Sequence, residues 1–186
     1  MSFLERCQGE NIHNRNMDIS TYTWDAEHIL LVGEFKEGQH VDYTNHLGEK
    51  ITAGVYHHMK IELIVNISTM VIADVFVSMP QVPHEACRAM VTSLNPIKGM
   101  AIVKGFSSRV SKLVGGSKGC THLVSLLMAM APASLQGTWI DKSYKGISLT
   151  ESAAGMETYL IGSCYVWRKD GSLAASLTER LRKESS

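Results

Sequence analysis

The most regular hydrophobic pattern of this chain runs from residue 59 to residue 66. Every second residue is apolar, and mostly polar residues stand between them: Met59, Ile61, Leu63 and Val65 alternate with Lys60, Glu62, Ile64 and Asn66. A second apolar run, residues 70–77, follows after a short turn near Asn66–Thr69. Because a period of two residues is that of a β-strand, the pattern predicts a β-hairpin over residues 59–77.

Weaker strand patterns lie on both sides of this hairpin. Residues 21–24 and 28–35 are typical of strands, and the polar run from Gly38 to Gly48 indicates a loop. Residues 1–20 are polar and are expected to form an irregular arm. Residues 159–161 and 164–167 predict one further strand before the turn at Gly171.

Helical patterns follow the predicted sheet. Pro83 is expected to open a helix over 84–94, and Ser107 or Ser108 to cap a short helix that ends before Gly115. A third helix is expected over 121–131, ended by Pro132, and an amphipathic helix over 173–181. Strands first and helices after them predict a single α+β domain, residues 1–186, with an antiparallel sheet covered by helices.

Composition narrows the classes of function. Of the 186 residues, 45% are hydrophobic, which suffices for one core, and 18 basic residues balance 18 acidic ones. This neutrality gives no general electrostatic reason to bind nucleic acid or an anionic membrane. We expect no membrane-spanning stretch and no signal peptide, and hence a soluble cytoplasmic protein whose four separated cysteines form no disulfide framework.

The segment Gly115-Gly116-Ser117-Lys118-Gly119-Cys120-Thr121-His122-Leu123 is the strongest candidate for a functional site. It places a thiol where an apolar helix begins, and the positive end of the helix dipole favours the thiolate, which ligates metals or attacks carbonyls. His122 follows two residues later. The alternative is structural: Cys120 is then only a small buried residue at the start of a helix.

Other residues able to bind a metal or to catalyse lie at the ends of predicted elements, where sites are commonly assembled. They are His57-His58 before the first hairpin strand, His84 and Cys87 at the next helix, and Arg109 on the short helix. The set His57, Cys87, Cys120 and His122 suits a mononuclear Zn or Fe ion. Each also has a structural interpretation: strand edge or helix surface for the histidines, core for Cys87, and an ion pair for Arg109.

The chain resembles a bacterial domain-of-unknown-function family whose members carry Gly-Cys-Thr-His-Leu ahead of a helix. The matching pieces run in order from about residue 15 to 135: Trp24–Glu27, Gly54–Met59, the hairpin 60–77, Pro83–Cys87, Gly105-Phe106 with Arg109, and Gly119–Leu123. The family pattern has His-Asp-Met where this chain has His57-His58-Met59, and Asp where Asn66 stands. If an acidic residue there is essential, this member is altered in activity.

A more distant resemblance is to iron–sulfur scaffold proteins of the IscU/NifU type. In those proteins a Met-Lys strand follows a ligand-bearing loop, as Met59-Lys60 follows His57 here. The resemblance implies that His57, Cys87 and Cys120 converge. The first cysteine of the scaffold has no counterpart, because Val55 and Tyr56 stand in that loop.

Three functions remain open from the sequence. The first is an enzyme acting on a small organic acid or thioester, with Cys120, His122 and Arg109 as catalytic residues and with or without the Zn or Fe ion. The family resemblance suggests a catabolic role for it. The second is a small-molecule-binding or subunit-interaction module, and the third an iron–sulfur or metal carrier. A homodimer is expected, because three tryptophans and a Met-rich helix are available to a partner.

Overall fold

The computed structural model describes residues 1–147 and 159–184. Its main feature is a four-stranded antiparallel sheet of β1 His13–Thr23, β2 His28–Gln39, β5 Gly54–Asn66 and β6 Ile72–Gln81. The strand order is β1-β2-β5-β6. A small hairpin of β3 Tyr43–Thr44 and β4 Lys50–Ile51 lies in the connection from β2 to β5.

Helical segments follow the sheet in the chain. The α-helices are α1 Phe106–Val114, α2 Thr121–Tyr144 and α3 Ser172–Glu184. Short 3-10 helices span Leu4–Arg6, Glu85–Thr92, Asn95–Ile97 and Gly116–Lys118. The α+β class and the antiparallel, mainly N-terminal sheet predicted from the sequence are therefore confirmed.

One face of the sheet forms the hydrophobic core. In β5 the buried apolar residues are Met59, Ile61, Leu63 and Val65, as the alternation predicts, and their neighbours face the other side. Helix α2 lies across β1, β2 and β5 and contributes Leu123, Leu126, Leu127 and Met130. Gly33 permits this approach, because a Cβ there would stand 2.6 Å from the sulfur of Met130.

Helix α2 is longer than the sequence predicted. It continues through Pro132 to Tyr144, although proline removes one helical hydrogen bond. Contacts beyond the proline explain this: Gly137 lies against Thr21 of β1, and the Thr138 hydroxyl donates to the sulfur of Met70 over 3.6 Å. Tertiary packing thus outweighs the local breaker.

Several boundary predictions were wrong. Strand β1 begins at His13, inside the segment expected to be an arm, because pairing with β2 orders it. Residues 85–92 form a 3-10 helix rather than an α-helix, and the N-cap of α1 is Gly105, with φ 83°, rather than a serine. Residues 159–167, predicted as a strand, contain two helical residues, 159 and 160, followed by turns and bends.

Among the described residues, α2 is also the helix long and apolar enough to cross a membrane by length and composition. The sequence analysis expected no such stretch. A helix in the core of a protein can have the same length and apolar composition, and one face of α2 does pack against the sheet as a core helix does. By itself the finding is weak evidence for a membrane span.

Candidate metal centre

A row of charged and polar side chains crosses three strands at one end of the core. In the sheet register Arg15 of β1 lies opposite Glu37 of β2, and Glu37 lies opposite His57 of β5. The neighbouring row towards the core contains Phe35 and Met59, both fully buried. Since every second residue of a strand faces the same side, Glu37 and His57 continue the buried face that these apolar residues begin.

His122 reaches the same place from helix α2. It lies in the first turn of that helix, and its ring centroid is 4.0 Å from that of His57 and 5.3 Å from that of Phe35. The glycines before it fit this position, because a Cβ on Gly119 would overlap the carbonyl oxygen of Val114 at the end of α1. The glycine-rich segment thus lets the start of α2 pack closely on the end of α1.

Three donor atoms converge in this position. Glu37 Oε2 lies 2.8 Å from His57 Nδ1 and 3.4 Å from His122 Nε2, and one ligand atom from each of the three residues lies within 4.8 Å of the other two. Two ligand atoms that each lie about 2.1 Å from a metal ion are roughly 3.0–3.4 Å apart at right-angled to tetrahedral geometry. The spacing is therefore close to that of a ligand set around one ion.

His57 Nδ1 is a buried nitrogen without a hydrogen-bond partner among the described residues. Glu37 Oε2 lies 2.8 Å away, and this contact acts to raise the pKa of His57, but the two groups are not aligned as in a regular hydrogen bond. A buried polar atom normally has a partner, and leaving one unpaired costs free energy. A cation in the space between the three residues would give this nitrogen an aligned partner.

The protonation states favour binding of a cation. Burial lowers the pKa of His57, and the neighbouring His122 lowers it further. Burial likewise lowers the pKa of His122. Burial acts to raise the pKa of Glu37, but the hydrogen bond and charge of Arg15 outweigh it and hold that pKa below its usual value. Neutral imidazoles and an ionised carboxylate are the forms that bind metals.

Arg15 occupies the other oxygen of the carboxylate. Its Nε donates to Glu37 Oε1 over 2.6 Å, and its terminal nitrogen contacts the same atom. His13 Nε2 lies 3.3 Å from Oε1 as well. Oε2 is thereby directed towards the two histidines. Such partners behind a ligand commonly fix its orientation in metal sites.

Cys120 contacts the opposite side of the His122 ring. Its Sγ is 3.8 Å from His122 Nδ1, whereas Nε2 faces Glu37. The two ring nitrogens point in different directions. If His122 binds an ion through Nε2, Cys120 therefore contacts the far side of the ring and does not face the ion. The residue lies at the start of α2, as the sequence predicted; it is the N-cap, but its side chain caps no backbone N–H.

The remaining sequence-predicted residues lie apart from this group of donor atoms. In the described chain, the one group of at least three close donors contains neither Cys87 nor Cys120. Cys87 is half-buried against the core in the 3-10 helix that also follows His84. The guanidinium of Arg109 donates to the carbonyl oxygens of Ala101 and Lys104. Catalytic or ligand roles for these residues remain predictions.

His58 lies on the other face of β5. Its Nε2 is 2.7 Å from Glu34 Oε1. Hydrogen bonds from His58, then from Lys36, lower the pKa of Glu34 to about 2. The adjacent histidines His57 and His58 thus each face a glutamate of β2, but on opposite sides of the sheet.

Glu37 and Arg15 were missed in the sequence. The sequence does contain a signal for Glu37. Ile29, Leu31, Gly33 and Phe35 alternate along β2 and face the buried side, and Glu37 is the next residue of this series, so it places a charge on the buried face. Arg15 lies in the polar segment expected to be an irregular arm, which has no comparable run of apolar residues to indicate a strand face.

The candidate metal centre therefore consists of one carboxylate and two histidines. Glu37 and His57 come from the buried face of the sheet, and His122 comes from the first turn of α2. The chain belongs to the family described as "Protein of unknown function (DUF2889)", which matches residues 13–136. This range contains every member of the centre and confirms the family resemblance inferred from the sequence. Curated proteins and solved structures gave no match, so the resemblance to iron–sulfur scaffolds has no support from them.

Proposed function

We propose that this protein is a mononuclear metal enzyme that acts on a small organic acid or thioester. Glu37 Oε2, His57 Nδ1 and His122 Nε2 are its metal ligands. The observation that carries the proposal is the convergence of these three donors, two of them on buried residues, with His57 Nδ1 lacking an aligned hydrogen bond among the described residues.

The donor set restricts the metal. Two histidines and one carboxylate form the ligand set of zinc hydrolases and of non-haem iron(II) enzymes, and in both it leaves coordination positions open for water or substrate. We therefore retain Zn or Fe, and no longer place Cys87 or Cys120 among the ligands. When bound, such an ion polarises a carbonyl or lowers the pKa of a water molecule.

The protein residues supply the rest of the site. Arg15 holds the carboxylate through Oε1, and Cys120 orients the His122 ring through Nδ1. Phe35 packs beside both histidines and keeps water from one side of the site, since its ring centroid is 6.4 Å from that of His57. These contacts favour one fixed geometry of the three ligands.

The test is metal analysis of the full chain purified without a histidine tag. We expect about one ion per chain in the wild type and in Cys87→Ser, and loss of the ion in Glu37→Gln and His57→Gln. His58→Gln is the matched control, because it removes the neighbouring histidine that pairs with Glu34 on the opposite face. Circular dichroism shows whether each variant is folded.

Two outcomes contradict the proposal. One is a folded wild-type protein that takes up neither Zn²⁺ nor Fe²⁺ after apo-protein is titrated with each. The other is metal loss in Cys87→Ser with retention in Glu37→Gln, which restores the ligand set of His57, Cys87, Cys120 and His122. Cobalt substitution gives a second readout, since a cysteine ligand adds a thiolate charge-transfer band that the proposed set lacks.

A specific observation supports a second candidate without metal. Cys120 Sγ, the His122 ring and Glu37 Oε2 stand in sequence, at 3.8 Å and 3.4 Å, in the order nucleophile, base and orienting carboxylate. The same preparation distinguishes the two candidates. Rapid alkylation of Cys120 in metal-free, active wild-type protein favours the nucleophile, whereas metal-dependent activity that persists in Cys120→Ser favours the metal enzyme.

A further inference from the structure

The outer face of the sheet, which points away from helix α2, stays at least partly exposed in the described chain. From residue 28 to 36 of β2 and from residue 58 to 66 of β5, every inward-facing residue is buried and no outward-facing residue is. An antiparallel sheet commonly leaves one face in water, and that face is then polar. Only half of this outer face is polar.

The half of the outer face at the turn between β1 and β2 is apolar. Tyr22, Trp24 and Phe76 are each between 54% and 59% exposed. Trp24 and Phe76 border a shallow groove of about 100 Å³, which Leu30 and Ile64 also line. Single exposed apolar residues are ordinary, but a contiguous patch with aromatic side chains is typical of the centre of a protein–protein interface.

The other half of the outer face is charged, and its charges alternate between neighbouring strands. Glu34 of β2 lies opposite Lys60 of β5 in the register, and Lys60 Nζ is 3.3 Å from Glu34 Oε1. Leu30 and Ile64 are opposite each other on the same two strands. Since β2 and β5 are the central strands of the sheet, both pairs lie astride its midline.

This pattern is complementary to a second copy of itself. A two-fold axis that runs along the strands, between β2 and β5, places β2 of one protomer over β5 of its partner at the same height. Leu30 of one protomer then faces Ile64 of its partner, Glu34 faces Lys60, and the symmetry repeats both contacts. Sheets packed in this way have nearly aligned strands, about 30° apart.

The area of the outer face suits a weak dimer. Four strands about 4.8 Å apart and about nine residues long, at roughly 3.4 Å per residue, present about 600 Å² on each protomer. Two such faces bury about 1,200 Å² in total, which is at the lower end of the range for specific interfaces. We therefore expect a dimer that dissociates at micromolar concentration.

We propose that the outer face is a homodimer interface, in which two copies pack sheet on sheet about this axis with Trp24 and Phe76 as aromatic anchors. The Met-rich helix, which was expected from the sequence to be available to a partner, is not this surface, because Met130 is fully buried and Met128 packs against the core. The interface is independent of the proposed metal function, since the candidate metal centre lies on the inner side of the sheet.

Sedimentation velocity of the full chain over about 1–100 µM tests the interface. We expect the average mass of the wild type to rise with concentration from 20.5 kDa towards twice that value. Phe76→Lys should weaken association at least about tenfold, because it places a charge in the apolar half. Ile140→Lys is the matched control: Ile140 is 68% exposed but lies on α2, across the sheet, so association should not change.

Charge reversal tests the orientation of the two copies. Glu34→Lys and Lys60→Glu each place like charges opposite one another across the axis, so each variant alone should associate at least about tenfold more weakly than the wild type. An equimolar mixture of the two variants should associate again, because each reversed position then faces the opposite charge. Circular dichroism shows whether each variant is folded.

Three outcomes overturn the inference. The first is a wild type that stays monomeric up to about 100 µM, which would leave the outer face to a different partner. The second is association that is lost in Ile140→Lys but retained in Phe76→Lys. The third is a mixture of the two charge-reversed variants that associates no more than each variant alone.

Discussion

Arg15 should stabilise the metal-free protein far more than the metal-bound protein. In the absence of an ion, its guanidinium is the closest fixed positive charge to the Glu37 carboxylate, of which 4% is exposed. Breaking a fully buried ion pair costs about 3–5 kcal/mol, and an exposed one about 0–1 kcal/mol. Because 46% of the Arg15 side chain is exposed, we expect Arg15→Met to cost about 2 kcal/mol.

Thermal or urea unfolding of chelator-treated protein measures this effect. For a chain of this length, about 2 kcal/mol corresponds to a decrease in Tm of roughly 4–8 °C. Saturating metal should recover much of the loss, because the ion takes over as the counter-charge of Glu37, and the stabilisation by metal should be larger in the variant than in the wild type. Lys36→Met is the control: its pair with Glu34 spans 3.1 Å on the outer face and should matter little.

The pH dependence provides a check on the cause. The pKa of Glu37 is lowered in the folded protein, so its contribution to stability is present above the unfolded value of 4.5 and is lost as the pH falls through the folded value. In Arg15→Met the buried carboxyl escapes its penalty by binding a proton. The cost of the substitution should therefore shrink in acid; a cost independent of pH, or equal with and without metal, would refute the reasoning.

Two further predictions follow from the same geometry. Burial lowers the pKa values of His57 and His122, so below pH 6.5 the unfolded chain binds more protons than the folded protein does. The metal-free protein should therefore lose stability as the pH falls below 6.5. His57→Gln should weaken this pH dependence, as measured by urea titrations at several pH values. Gly119→Ala should cost about 1–3 kcal/mol of stability and lower Zn²⁺ affinity at least tenfold, because the added Cβ meets the Val114 carbonyl and displaces the start of α2. The control is Gly99→Ala, where φ is 80° and the surrounding space is open: it should lower stability without changing the Zn²⁺ affinity. Equal Zn²⁺ affinities in both variants would count against the role of Gly119.

The sequence predicted the fold class because its strongest signal is local. The alternation around Met59–Val65 specifies a half-buried strand, and its partner follows after a short turn, so no distant contact is needed to recognise the hairpin. The continuation of α2 beyond Pro132 could not be predicted in this way. It depends on contacts with Thr21 and Met70, which are distant in sequence.

The candidate site was predictable in part for the same reason. His57 and His122 were recognised because one precedes the hairpin and the other follows the glycine-rich segment. Glu37 joins them only through the register of β2 with β5, and Arg15 only through the register of β1 with β2. The cysteines were favoured as ligands by residue type, but the direction of the His122 ring is a tertiary property, and it places Cys120 behind the ligand atom.

The cost of the buried row is the strongest reason to connect it with function. A carboxylate and two imidazoles stand at a place where the sheet would accommodate apolar residues such as the adjacent Phe35 and Met59. Burial lowers the pKa of both histidines, and His57 Nδ1 stays unpaired in the described chain, so the arrangement reduces stability without an added partner. Arg15 compensates the charge of Glu37 but contacts only Oε1. One cation between Oε2 and the two ring nitrogens would satisfy all three groups at once.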